Sequence, residues 1–180
     1  MVQIKSSYRA ADPMIVLVGP MGAGKTTVGR ALSRHLNLGF VDLDSEIEKD
    51  AKMTITEIFG TEGEAGFRQR ETEMLDRHCC TNGTVISTGG GVILSEKNRV
   101  MMRNGFVVYL HATPNQQYER IRHRSHRRPK IDSKQPLAGL ADLMQVRDPL
   151  YRSEADIIVR TDGRPINVIV KEIEYGLLHQ

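Results

Sequence analysis

Five short runs of apolar and β-branched residues recur along the chain: Met14 to Val18, Phe40 to Leu43, Thr84 to Ser87, Phe106 to Leu110 and Ile157 to Val159. They are brief and almost continuously hydrophobic, which predicts strands covered on both faces; a half-exposed strand would alternate apolar with polar. Between the runs the period changes. Val28, Ala31, Leu32, His35 and Leu36 fall three and four apart, and Ile173 and Leu177 repeat that spacing beside Glu172 near the carboxyl end, which predicts helices with one buried face. Strand and helix thus alternate, and the expectation is an α/β fold. It should have a central, mainly parallel five-stranded sheet with helices on both faces, and ligands at the carboxyl ends of the strands.

Two stretches break the rhythm. Residues 45–82 look like several helices with no strand, and 120–136 are basic and bounded by proline. Both read as inserts over a site, a helical substrate-binding element and a lid, because long connections in a compact domain commonly bind or cover something. At 180 residues the chain predicts one domain, here 14–180, with 1–13 as an amino-terminal extension.

Composition narrows the class. Hydrophobic residues make up 39% and charged residues 26%, values of a folded globular chain. The formal net charge of +3 is local: residues 120–130 carry six basic side chains and no acid, leaving 19 basic against 22 acidic elsewhere. A general nucleic-acid surface is therefore disfavoured. The two cysteines, Cys79 and Cys80, are neighbours; they can staple no distant segments and have no metal-ligand spacing. No signal-peptide pattern opens the chain, and its longest apolar run, Met14 to Val18, is far too short to span a bilayer. A cytoplasmic protein without membrane contact is expected.

The chemistry begins directly after the first run. Gly19-Pro-Met-Gly-Ala-Gly-Lys25-Thr26 satisfies G-x-x-x-x-G-K-[ST] between a predicted strand and a predicted helix, the context a phosphate-binding loop requires. Glycines let successive N–H groups face phosphate oxygens, the helix start adds positive potential, Lys25 reaches the β- and γ-phosphates, and Thr26 has a hydroxyl for Mg²⁺. The expectation becomes a three-layer α/β/α P-loop fold. A GTPase of this size would read guanine through Asn-Lys-x-Asp, which is absent from the sequence.

Asp42 and Asp44 close the second run two residues apart, and strand alternation would turn both to one face. One could hold magnesium while the other orients, or takes the proton of, an attacking hydroxyl. The plainer alternative is that Asp44 caps a helix starting near Ser45. Three further strings have plain alternatives too. In Gly63-Glu-Ala-Gly-Phe-Arg-Gln-Arg-Glu71, Arg68 could simply pair with Glu64 or Glu71. Thr88-Gly-Gly-Gly91 could be an ordinary loop, and Arg147-Asp-Pro-Leu-Tyr151 a solvated helix end.

Taken together and in this order, these strings resemble the shikimate kinases, small P-loop kinases of the nucleoside-monophosphate-kinase fold. The resemblance covers about residues 14–170, and includes Arg128-Pro129 in the basic segment. It implies transfer of the ATP γ-phosphoryl group to the 3-hydroxyl of shikimate, giving shikimate 3-phosphate and ADP in aromatic amino-acid biosynthesis. It implies Gly22, Ala23, Gly24, Lys25, Thr26 and Thr27 around the nucleotide phosphates, with Thr26 and Asp42 in the Mg²⁺ shell. Asp44 looks like the residue at the acceptor hydroxyls, Arg68 and Arg147 like a carboxylate clamp, and Gly89, Gly90 and Gly91 like the loop lining the acceptor site, Gly90 as a backbone donor. Arg128 resembles a lid arginine reaching the phosphoryl group in flight, and Arg164 part of an adenine-side loop. Phe59 and Phe67 would wall the pocket, although plain core is the commoner role for such residues.

Planar guanidinium forks suit a carboxylate better than lysine does, and a closing lid keeps water from competing for the phosphorus. Arg120, Arg122 and Arg124 read as solvated, with any one of them able to lie against adenine. The lid departs from the family pattern at Lys130-Ile131, and His123 with His126 lack the partners of a zinc site. Small-molecule partners and a monomer are expected. Two other readings remain: a kinase of another acid such as gluconate, and a non-catalytic nucleotide-sensing or nucleic-acid module using residues 120–130.

Overall fold

The structure, a computed structural model, describes residues 13–122 and 136–179. Five parallel strands form one sheet in the order β2-β3-β1-β4-β5, with β1 Ile15–Val18, β2 Gly39–Asp42, β3 Thr84–Ser87, β4 Phe106–His111 and β5 Ile157–Arg160. Every apolar run is therefore a strand, and the sheet is parallel throughout.

Successive residues of the central strand β1 feed two cores, as the pleat demands. Ile15 and Leu17 join Val28 and Leu32 of α1 (Lys25–Leu36) and Ile169, Val170 and Ile173 of α8 (Ile166–Leu178). Val16 and Val18 turn the other way, onto α2 (Leu43–Ala51), α3 (Ile55–Thr61), α4 (Gly63–His78), α5 (Glu96–Met102) and α7 (Pro136–Glu154). α6 (Pro114–Ile121) follows β4. Helices cover both faces, so the inner strands β1, β3 and β4 are almost wholly buried while the edge strands β2 and β5 keep partial exposure, and the carboxyl ends are left for chemistry.

Three boundaries differ from the sequence expectation. The second run ends as a strand at Asp42; Leu43 is wholly buried and opens α2. The first insert, expected over 45–82, is three helices spanning 43–78, and α3 starts with a reciprocal Thr54–Glu57 capping box. α7 does not stop at the Arg147–Tyr151 string but runs through Pro149 to Glu154. Of the second insert, only 120–122 and Pro136 lie within the described residues. Lid residues Arg124, Arg128 and Lys130, His123 and His126, and the extension as far as residue 12 lie outside them. Among the described residues no helix is long and apolar enough to cross a membrane, and none of the Cys, His, Asp and Glu side chains cluster as a metal site.

Candidate active site

The phosphate loop lies between β1 and α1. Gly24 caps α1 with φ of 93°, a left-handed conformation that any side chain would strain. Lys25 is buried, and its Nζ donates to the carbonyls of Gly19 at 2.7 Å and Pro20 at 2.8 Å, so the loop curls around the ammonium. A cleft of about 860 Å³ opens above it, lined by Gly22, Ala23, Gly24, Lys25, Thr26, Thr27, Asp42, Asp44, Arg120 and Arg164 among others.

Asp42 and Asp44 do face this cleft together, but for a different reason than strand alternation. Asp42 is the last residue of β2 and the N-cap of α2, accepting from the Ser45 N–H at 3.3 Å, while Asp44 already sits in the first helical turn. The helix start has both carboxylates near its positive end. The capping role considered for Asp44 thus belongs to Asp42. Thr26 Oγ1 donates to Asp42 Oδ2 at 2.6 Å, which puts a hydroxyl and a carboxylate oxygen side by side at the mouth of the loop.

A second, smaller pocket adjoins the cleft and shares Met21 and Asp44 with it. Its walls are Phe59, Phe67, Arg68, Glu71, Gly89, Gly90, Gly91 and Arg147. Asp44, Arg68 and Arg147 therefore meet in one chamber next to the phosphate loop, drawn from α2, α4 and α7. Phe67 is both core and wall, stacked on Phe59 with centroids 4.8 Å apart; the guanidinium of Arg68 lies 5.1 Å from the Phe67 ring centre.

Arg68 does pair with Glu64 and Glu71, as the plainer alternative held, yet that pairing aims it into the chamber. Gly91 makes the room: a Cβ there would come within 2.4 Å of three guanidinium atoms. Gly89 does the same for two carboxylates, since its Cβ would lie 2.5 Å from Glu71 and 3.0 Å from Asp44. Arg147 is only 6% exposed, not a solvated helix end, and donates from Nη1 to Gly90 O at 3.1 Å.

Glu71 is a residue whose part the sequence did not reveal. It is fully buried, and its Oε1 accepts no hydrogen bond among the described residues. Burial pushes its carboxyl above the ordinary range and the nearby Asp44 charge adds to this, while Arg68 and Arg147 pull it back.

The family model for shikimate kinase matches residues 21–176. The chain belongs to the shikimate kinase family. A shikimate kinase of Pseudomonas paraeruginosa is 50% identical over 160 residues, covering 88% of this chain and 92% of that protein. The structure of Acinetobacter baumannii shikimate kinase in complex with shikimate superposes with a TM-score of 0.90 at 41% identity, covering 93% of this chain and 94% of that one. A gluconokinase of Sinorhizobium meliloti shares the fold, with a TM-score of 0.60 at 20% identity. Membership makes this chain an ATP-dependent kinase.

Arg120, expected in solvent, is instead pinned. Its Nη1 donates to Gly22 O at 2.9 Å and Thr161 Oγ1 at 3.0 Å, and its Nη2 to Thr161 O at 2.7 Å. The arginine thus bridges the phosphate loop to the end of β5 along one wall of the cleft. Two of its three acceptors are carbonyls, which leave no side-chain pattern, and the third is a threonine 41 residues away, so the sequence did not show this. Arg164 lines the same cleft, and its guanidinium is held by Arg160 O and Glu172. Arg128 lies outside the described residues.

Proposed function

We propose that the large cleft binds ATP and the adjoining chamber binds shikimate, so that the γ-phosphoryl group passes to the shikimate 3-hydroxyl, giving shikimate 3-phosphate and ADP in aromatic amino-acid biosynthesis. The observation that carries the proposal is the chamber itself: Asp44 and two forked cations, Arg68 and Arg147, with Glu71 paired to Arg68, open onto the phosphate loop through a shared wall. The relative whose structure holds shikimate supports the choice of acceptor.

In this reading Arg68 and Arg147 grip the acceptor carboxylate while the backbone of Gly89 to Gly91 closes one side. Asp44 orients the 3-hydroxyl and takes its proton as the new oxygen–phosphorus bond forms and the bond from the γ-phosphorus to the bridging oxygen breaks, leaving ADP. Lys25 and the loop N–H groups hold the phosphates. Arg128 is assigned to the transferring group and Arg164 to the adenine side, on the resemblance alone.

The Thr26 hydroxyl and Asp42 carboxylate are hard oxygen donors 2.6 Å apart, and with phosphate oxygens and water they fit Mg²⁺, which is held through few protein groups. When bound, the ion offsets negative charge on the β- and γ-phosphates. Asp44, Arg68 and Arg147 come from the same chain, and the reading takes a monomer as the working unit; the free cysteines Cys79 and Cys80 suit the cytoplasm. Nucleic acid and membrane have no part in the reaction.

Coupled ADP release with ATP and Mg²⁺ tests this reading. Shikimate should stimulate turnover strongly and gluconate should not; stimulation by gluconate alone, or by neither acid, contradicts it.

A further inference from the structure

The Arg147-Asp-Pro-Leu-Tyr151 string ends in a residue that plays no direct part in the reaction. Tyr151 has no exposed surface, and its hydroxyl donates to Gly90 O. That same oxygen accepts from Arg147 Nη1. A carbonyl has two lone pairs, and here one holds the clamp arginine and the other the tyrosine.

Gly90 is also where the two halves of the site meet. A Cβ at this position would lie 3.4 Å from Met21 N, 3.5 Å from Gly19 O and 3.7 Å from Arg147 Nη1. Its peptide is therefore packed between the phosphate loop and the arginine, and any rotation of its carbonyl moves the support under Arg147.

The tyrosine is itself braced. Its ring stacks on Tyr109 with centroids 4.8 Å apart and planes at 27°. Tyr109 belongs to β4, opposite Val18, the last residue before the loop glycine. The Tyr109 hydroxyl donates to Asp148 Oδ1 at 2.7 Å, and Arg152 Nε donates to Asp148 Oδ2 at 2.6 Å. The chain of contacts closes on itself, from Arg147 through Gly90, Tyr151 and Tyr109 to Asp148, the next residue after Arg147.

We infer that Tyr151 is a positioning residue for acceptor binding: by holding the Gly90 carbonyl it fixes the guanidinium of Arg147 at the angle that receives the acceptor carboxylate. The inference rests on Arg147 being part of the clamp proposed above. Burial, against the pull of the Arg147 cation, raises the pKa of the Tyr151 hydroxyl above that of an ordinary tyrosine, which favours the protonated, donating form. Arg147 Nη1 is anchored on the Gly90 carbonyl, so holding that carbonyl with a second donor narrows the orientations open to the guanidinium, and bidentate recognition depends on that orientation.

Steady-state kinetics on Tyr151→Phe, Arg147→Ala and the double variant test the inference, because Phe keeps the stack and removes only the hydroxyl. Tyr151→Phe should raise the shikimate KM roughly tenfold and leave the ATP KM within about twofold, the size expected from one hydrogen bond acting on one substrate. In the Arg147→Ala background the same change should add less than about a further twofold. An unchanged shikimate KM, a parallel rise in the ATP KM, or fully multiplying effects in the double variant would overturn the positioning role. If Arg147→Ala alone leaves the shikimate KM unchanged, the clamp itself is wrong and the inference falls with it; if Arg147→Ala raises it and Tyr151→Phe does not, the clamp stands and only the inference falls. Tyr109→Phe, which keeps both rings and removes only the bond to Asp148 Oδ1, should raise the shikimate KM in the same direction by less, and carries the test if Tyr151→Phe folds poorly; no rise would contradict the brace.

Discussion

Asp44, Arg68 and Arg147 are separated by 24 and then 79 positions in sequence, and each has a neighbour that makes its placement possible. Asp44 is set by the turn that Asp42 caps, Arg68 by the space at Gly91, and Arg147 by the carbonyl of Gly90. Three outcomes follow at this scale. Asp44→Asn should cut kcat by roughly a thousandfold, the range of a lost general base, while ATP binding measured by titration stays as it was; near-normal turnover would remove Asp44 from the chemistry. Arg147→Lys should raise the shikimate KM by at least about tenfold, since an ammonium cannot reproduce the planar fork. Gly91→Ala meets first the guanidinium of Arg68, the partner of buried Glu71. It should therefore displace Arg68, raise the shikimate KM, and lower the melting temperature by parting Arg68 from Glu71; an unchanged KM would show that Gly91 does not make the room for Arg68.

The residues legible in the sequence are those whose chemical type announces their role, such as a loop lysine, a carboxylate or a guanidinium. Glu71, Tyr151 and Arg120 are harder to read because their roles are relational. Glu71 is defined by what it is buried against, Tyr151 by a carbonyl oxygen that carries no side-chain signature, and Arg120 by two such oxygens and a distant threonine hydroxyl.

At the scale of elements, the inner strands β1, β3 and β4 were legible because a strand covered on both faces must be apolar over nearly its whole length; the edge strands β2 and β5 are partly exposed and show only as short apolar, β-branched runs. Element ends were less so. The β2–α2 junction has no spacer: Asp42 finishes the strand and caps the helix, so a strand pattern carried on to Leu43. α7 continues past Pro149 because its far end is tied down. Arg103, just after α5, donates twice to Glu154, at 2.7 and 2.8 Å, and Arg99 of α5 lies 3.6 Å away.

The hydrogen bonds from Arg103 hold the Glu154 carboxyl below its ordinary value against the opposing effect of burial. A depressed acid stabilises the fold above its unfolded pKa and loses that contribution as pH falls through the folded one. The melting temperature should therefore drop between about pH 5 and pH 3, and Arg103→Ala should drop less over the same range; equal slopes would show that the tie contributes nothing. On α1, Lys25 is fixed to its own loop and so serves both binding and rate. Lys25→Met should raise the ATP KM and lower kcat together, and unchanged kinetics would exclude it from the phosphate site.

At the scale of the whole molecule, the sheet order brings β1 and β3 side by side, so the phosphate loop after one and the triple-glycine loop after the other share a border. Gly90 packing against Met21 and Gly19 is the result. That adjacency is the function in outline: donor and acceptor sites built from separate segments, joined where two neighbouring strands end. The alternation of strands and helices foretold the layers but not the sheet order, which depends on long-range pairing that no local pattern encodes.

The claim at the centre is that two guanidinium groups in that chamber hold the acceptor by its carboxylate. Comparing kcat/KM for shikimate and for its methyl ester in the unaltered protein tests it most directly. Loss of the negative charge should lower kcat/KM by at least roughly a hundredfold, from two forfeited charge-assisted contacts. Equal turnover of acid and ester would contradict the account.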